Sequence, residues 1–105
     1  MNTLPEQIKT RRSIRKYKSD MLPKEIIEQI VEAGTFAPTG MNNQTPIIVA
    51  VTNKEVRDRL SAANAKIGGW KEGFDPFYGA PVVLIVLADK NSPHRVYDGS
   101  LVMEN

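Results

Sequence analysis

The chain has 105 residues, of which 41% are hydrophobic and 25% are charged, a composition typical of one small folded domain rather than of a disordered segment. It contains no cysteine, which excludes disulfides, thiolate nucleophiles and cysteine-bound metals, and its one histidine has no second histidine with which to share a metal ion. Six of its 14 basic residues lie between Lys9 and Lys18 without an intervening acid, so the net charge of +2 comes from this basic segment (residues 9–18).

The first third of the chain predicts two helices separated by an extended stretch. Thr3 and Glu6 form a capping-box pattern around a proline, which predicts a helix from Thr3 to about Arg11. Residues 13–20 lack helical periodicity and are expected to be extended. A second helix is predicted over residues 22–34, because its isoleucines follow the 3.6-residue period and a glycine ends it.

The middle of the chain predicts a loop, a strand and a helix. Residues 36–46 contain two prolines, a glycine and several amide side chains, which is typical of a loop. The apolar residues 47–52 predict a buried strand. Asn53 is a suitable cap for a third helix over residues 54 to about 64.

The last third of the chain predicts one more strand and one more helix after a long irregular stretch. Residues 67–81 are rich in glycine and proline, and loops of this length are usually lids or segments covered by a partner. Residues 82–88 are apolar on both faces, which predicts a central strand. Asp98 is expected to cap a final short helix. Because two strands make a small sheet and that helix has no end signal, we expect either the amino-terminal part of something larger or a domain completed by another chain. In both cases the 105 residues are not expected to form a stable, active monomer.

The basic segment suggests an anion site. Arg11 and Arg15 flank Ser13, with Arg12 between them, and guanidinium groups bind phosphate through paired hydrogen bonds to which a serine hydroxyl can add. Two other interpretations remain open from these residues alone. The segment can be a solvated basic face, or it can bind nucleic acid, since Tyr17 places an aromatic ring among the charges.

A second candidate site is the amide loop (residues 38–44), with the sequence Pro-Thr-Gly-Met-Asn-Asn-Gln. Asparagine and glutamine present a donor beside an acceptor, which matches the edge of a heterocycle that alternates N–H and C=O groups. Gly40 would allow a flat ring to approach the backbone closely. The alternative is an ordinary turn whose amides bond to each other.

Taken together, these motifs resemble the nitroreductase family of FMN-dependent oxidoreductases. The likeness rests on Arg-Arg-Ser-Ile-Arg-Lys-Tyr at residues 11–17, Ala-Pro-Thr-Gly-Met-Asn-Asn-Gln at 37–44, Asp-Pro-Phe-Tyr-Gly-Ala-Pro at 75–81 and the segment 97–105. It implies an α+β fold with an antiparallel-rich sheet wrapped by helices, in an intertwined homodimer with FMN at each end of the interface. Residues 1–105 would be the amino-terminal portion of one such domain, about half of it.

The resemblance also implies roles for individual residues. Arg11, Ser13 and Arg15 would hold the FMN phosphate with Arg12 nearby, while the other subunit would reach the flavin with Pro38, Thr39, Gly40, Asn42 and Gln44. NAD(P)H would reduce FMN, and the flavin would pass hydride to a nitroaromatic, quinone or similar acceptor, so neither a catalytic side chain nor a metal is implied. The chain departs from the family at Thr45-Pro46, where Pro-Trp is common.

We also expect a cytoplasmic protein, because the first six residues carry no apolar stretch. No membrane association is expected, because the longest apolar runs are too short to span a bilayer.

Two alternatives to the enzyme remain. One is a basic nucleic-acid-binding module that uses residues 11–18, and the other is a dimerisation fragment without catalysis.

Overall fold

The computed structural model describes residues 3–105, so Met1 and Asn2 of the predicted 1–105 domain portion lie outside the described residues. A single 3-10 turn, Gly40–Asn42, lies within the amide loop. The helices and strands follow in the order α1 (Leu4–Thr10), α2 (Lys24–Thr35), β1 (Ile47–Val51), α3 (Lys54–Gly68), β2 (Val83–Leu87) and α4 (Arg95–Glu104).

Helix α1 is stabilised by its cap. The Glu6 carboxylate accepts the backbone N–H of Thr3 at 2.8 Å, and the Thr3 hydroxyl accepts that of Glu6 at 3.4 Å, so the predicted capping box is present. No residue of α1 is buried, and Leu4 and Ile8 are about two-thirds exposed. Local hydrogen bonds rather than packing therefore define this helix. The chain that follows it, through the basic segment, has no regular structure.

Strands β1 and β2 pair in antiparallel fashion, with Ile48 opposite Val86, and helices α2 and α4 cover one face of the pair. Gly34 lets α2 approach closely, since a Cβ there would lie 2.7 Å from Ile48 Cδ1 and 3.5 Å from Val102 Cγ1. The opposite face carries residues such as Val49, which is 39% exposed. The helices and antiparallel strands confirm the predicted α+β class.

Three sequence predictions need correction. Helix α3 continues to Gly68, a turn beyond the expected end, and stops where Gly69 adopts a left-handed φ of 74°. Strand β2 has β1 on one side and no second neighbour among residues 3–105, so it is not central within the part of the chain that the structure describes. Helix α4 begins at Arg95, and Asp98 therefore lies inside its first turn instead of capping it.

The irregular stretch after α3 is tied down by one buried cluster, and we call residues 70–81 the pinned loop. Asp75 accepts hydrogen bonds from the Arg57 guanidinium, from the Ser61 hydroxyl at 2.8 Å and from the backbone N–H groups of Phe77 (3.0 Å) and Gly79 (2.8 Å). Burial by itself would raise the pKa of the Asp75 carboxyl, but these donors outweigh it and hold the pKa well below its ordinary value. The pinned loop is thus anchored to α3 and is not a loose lid.

Candidate functional site

The basic segment presents its cationic side chains to solvent. Arg11, Arg12, Ser13 and Arg15 are all exposed. Arg12 donates through Nη1 to the backbone oxygens of Arg11 at 2.9 Å and of Lys9 at 3.3 Å. Among residues 3–105, no ion pair involves Arg11, Arg12 or Arg15. The three guanidinium groups are therefore available to an external anion.

A groove of about 750 Å³ runs beside the basic segment. Its lining includes Ser13 and Arg15 of the basic segment, Tyr78 of the pinned loop and Leu84 of β2. The N–H of Tyr17 donates to the backbone oxygen of Tyr78 at 3.2 Å, which joins the basic segment to the pinned loop. Most of the lining is apolar, and its charged residues are Arg15, Lys18 and Asp20, so the groove can take a ligand with a flat apolar body and an anionic end.

The amide loop bonds to itself. The Thr39 hydroxyl accepts the N–H of Gln44 at 2.9 Å, and Asn42 Oδ1 accepts the side-chain Nε2 of Gln44 at 3.1 Å. Asn42 and Gln44 both adopt left-handed backbone conformations, with φ of 55° and 53°. Pro38, Asn42 and Gln44 are exposed, whereas Thr39 and Gly40 are half-buried. Sparsely populated conformations of this kind persist only where the surroundings hold them, so the loop has a defined shape.

Helix α4 supports the amide loop through a residue that the sequence analysis assigned only to a helix cap. Asp98 is 1% exposed, and its Oδ1 accepts the N–H of Gly40 at 2.8 Å. A Cβ at Gly40 would lie 2.3 Å from His94 Cγ, so the imidazole ring packs directly on this glycine. The spacing of His94 and Asp98, four residues apart at a helix start, is the only sequence signal for this contact, and it does not identify the partner.

Thr45 occupies the position at which the chain departs from the family pattern. Its hydroxyl oxygen is buried and has no hydrogen-bond partner among residues 3–105. The adjoining Pro46 lines a cavity of about 410 Å³ together with Thr39, Gln44 and Val102.

The structure does not bring the two candidate segments into one cavity. The groove beside Ser13 and Arg15 includes no residue of the amide loop, and the cavity beside Thr39 and Gln44 includes no residue of the basic segment. Within one chain the two segments therefore line different cavities.

The longest helix between residues 3 and 105 has 15 residues, and no helix there combines the length and the hydropathy of a membrane span. No group of three histidine or acidic side chains within these residues is placed to hold a metal ion.

The sequence of the chain matches that of a known protein family. A family model described as the nitroreductase family matches residues 8–72. A Bacillus subtilis protein named FMN reductase (NAD(P)H) is 32% identical over 91 residues, which are 87% of this chain and 34% of that protein.

Solved structures agree with the sequence comparison. A nitroreductase with bound FMN from Desulfitobacterium hafniense is 28% identical and has a TM-score of 0.86, with 99% of this chain and 62% of that chain covered. One with bound FMN from Bacteroides fragilis is 30% identical and has a TM-score of 0.83, with the same coverage. These likenesses confirm the nitroreductase-like fold. The chain spans between 24% and 41% of the length of five curated relatives that it matches.

Proposed function

The chain belongs to the nitroreductase family. From that membership we propose that it forms part of an FMN-dependent oxidoreductase, which uses NAD(P)H to reduce nitroaromatic, quinone or similar acceptors. The observation that carries the proposal is the pairing of an unneutralised arginine cluster with a shaped amide loop beside different cavities of one chain. Relatives named as an FMN reductase and as nitroreductases with bound FMN support the choice of cofactor.

The basic segment would hold the phosphate of FMN. Arg11 and Arg15 have no carboxylate partner among residues 3–105, and the Ser13 hydroxyl between them adds a donor. Arg12 donates to the adjoining backbone and would keep the segment in shape. Two guanidinium groups and a hydroxyl are a donor set that fits a phosphomonoester dianion.

The amide loop would contact the flavin ring. Pro38, Thr39 and Gly40 would contribute backbone contacts, and the exposed side chains of Asn42 and Gln44 would meet the polar edge of the ring. The internal bonds from Gln44 to Thr39 and Asn42 already order these groups, which lowers the entropy that a ligand must overcome. An ordinary turn whose amides bond to each other would show the same contact between Asn42 and Gln44, so the choice of a binding loop rests on the family membership.

We further propose that each site forms between two copies of the chain in a homodimer. One copy would supply Arg11, Ser13 and Arg15, and the other would supply the amide loop. The separation of these segments within one chain supports this arrangement. When bound, FMN supplies the hydride chemistry, so the side chains bind and orient it and none acts as an acid, base or nucleophile. A cytoplasmic location is part of the same proposal.

The test is a flavin titration of the protein expressed from its intact reading frame. We expect FMN to bind with quenched flavin fluorescence and the loaded protein to oxidise NADH or NADPH when a soluble quinone is supplied. Riboflavin, which has the same ring without the phosphate, should bind more weakly. A protein that binds neither flavin at millimolar concentration would contradict the proposal.

A nucleic-acid titration separates the enzyme from the basic-module alternative. Binding through the five charges of residues 11–18 would weaken with salt, with a log–log slope of roughly −3 to −5. We expect only weak binding that FMN abolishes. Tight binding at physiological salt that FMN leaves unchanged would favour the nucleic-acid module.

A further inference from the structure

The first turn of α4 contacts Gly40 in two ways. Asp98 Oδ1 accepts the Gly40 N–H at 2.8 Å, across 58 residues of sequence, and the His94 ring lies against the Gly40 α-carbon. His94 and Asp98 are four residues apart and share one face of the helix. Asp98 therefore holds the amide of Gly40, and His94 packs on its α-carbon.

Packing alone does not explain an aspartate at position 98. It is the largest fully buried side chain within residues 3–105, and no residue there donates a hydrogen bond to its Oδ2. None of the ion pairs of the described chain includes Asp98. Burying a carboxyl oxygen without a donor costs stability, and an apolar side chain of similar shape in its place is often neutral or stabilising. What the carboxyl group supplies is a single acceptor directed at the amide loop.

We propose that Asp98 is a positioning residue of the flavin site, which holds the Gly40 amide so that the amide loop meets the flavin ring with its backbone already in place. This inference rests on the proposed function. It concerns the ring and not the phosphate, because Asp98 contacts the loop assigned to the ring and lies outside the groove beside the basic segment.

Two substitutions separate positioning from stability. Asp98→Leu removes the unpaired buried oxygen but also takes the acceptor from the Gly40 N–H, and because these effects oppose each other the melting temperature should change little. FMN and riboflavin should both bind about tenfold more weakly, as expected for one lost hydrogen bond. Asp98→Asn keeps an oxygen that can accept the Gly40 N–H, and both flavins should bind within about threefold of the unsubstituted protein.

Hydrogen exchange of the Gly40 amide gives a readout that does not depend on activity. Its protection should fall about tenfold or more in the flavin-free Asp98→Leu protein and should be retained in Asp98→Asn. Asn53→Leu is the matched control, since it deletes another side-chain acceptor of a backbone N–H, that of Val56 at 3.1 Å. It should lower the melting temperature and leave flavin affinity unchanged.

Each outcome decides the inference. Asp98→Leu with unchanged flavin affinity, or with a melting temperature and an affinity that fall together, or without a folded state, would assign Asp98 to stability and overturn the proposal. Loss of FMN binding with riboflavin binding intact would also overturn it, because Asp98 would then affect binding of the phosphate and not of the ring. If the unsubstituted protein binds neither flavin, the proposed function itself fails, and this inference fails with it.

Discussion

Arg11 and Arg15 differ from the better-anchored arginines of the chain. Arg57 bonds to Asp75 and to the Ala80 oxygen, and Arg95 donates to the Ser92 oxygen, whereas Arg11 and Arg15 have no hydrogen-bond acceptor among residues 3–105. Because no acceptor holds the side chains of Arg11 and Arg15, these side chains lose conformational freedom only when a ligand binds. Their contribution belongs to binding and not to folding.

A single substitution tests that assignment. Arg15→Ala should weaken FMN binding by about 10- to 100-fold, the range for one charge-assisted hydrogen bond, and should change riboflavin binding little. Fluorescence titration with both flavins measures the difference. Arg59→Ala is the control, because Arg59 is an exposed arginine of α3 outside the basic segment and should leave both affinities unchanged. If Arg15→Ala weakened the binding of FMN and riboflavin equally, Arg15 would not bind the phosphate.

At the scale of elements, one carboxylate joins α3 to the pinned loop. Asp75 accepts from Arg57 and Ser61 of the helix and from two N–H groups of its own loop. Arg57 is 8% exposed and also donates to the Ala80 oxygen at 2.8 Å. Removing Asp75 would therefore take the nearer of two carboxylates from a buried guanidinium and leave it only the half-exposed Asp58 at 3.4 Å, which is a costly change.

The stability of this junction should depend on pH. Because the pKa of Asp75 is lower in the folded protein than its ordinary value of 3.8, the folded state binds this proton more weakly than the unfolded state does. The stabilisation is complete above the ordinary pKa and is lost as the pH falls below it toward the depressed value. Urea unfolding should show a decline in the free energy of unfolding below about pH 4.

Asp75→Asn should remove this acid-sensitive contribution. We expect a loss of about 2–3 kcal/mol at neutral pH and a flatter dependence on pH below about 4. Glu28→Gln is the control, since Glu28 pairs with Lys24 on the exposed face of α2, away from this junction, and should contribute little. An Asp75→Asn protein as stable as the unsubstituted one at pH 7 would show that the cluster does not anchor the loop.

At the scale of the whole molecule, the chain exposes far more surface than a monomer of its size. Its accessible surface is 8637 Å², against about 5,900 Å² expected for its mass. Its radius of gyration is 15.4 Å, against about 13 Å for a compact domain of this length. Only Val51, Ala65 and Val102 are buried apolar residues within residues 3–105. The excess surface is comparable to what an obligate interface buries.

We therefore expect the chain to associate. Sedimentation at micromolar concentration should show a dimer or a larger species, because exposed apolar area of this extent drives association. FMN should shift the distribution toward the dimer, since a ligand that binds between two copies stabilises their complex by mass action. A stable monomer at tens of micromolar, with or without FMN, would contradict both the association and the shared site.

The sequence by itself determined the features that depend on neighbouring residues. The Thr3 and Glu6 cap and the two apolar strands are set by hydrogen bonds and periodicity over a few positions, and their limits were predicted to within about a turn. The glycine signals were less exact, because Gly34 lies inside α2 and α3 continues to Gly68. The motifs at residues 11–17 and 37–44 were enough to identify the family. Only the tertiary structure decided that Asp98 holds Gly40 across 58 residues and that the two candidate segments line different cavities. These depend on how α4 packs against the sheet and the loop, and no local pattern encodes which distant group a buried carboxyl will meet.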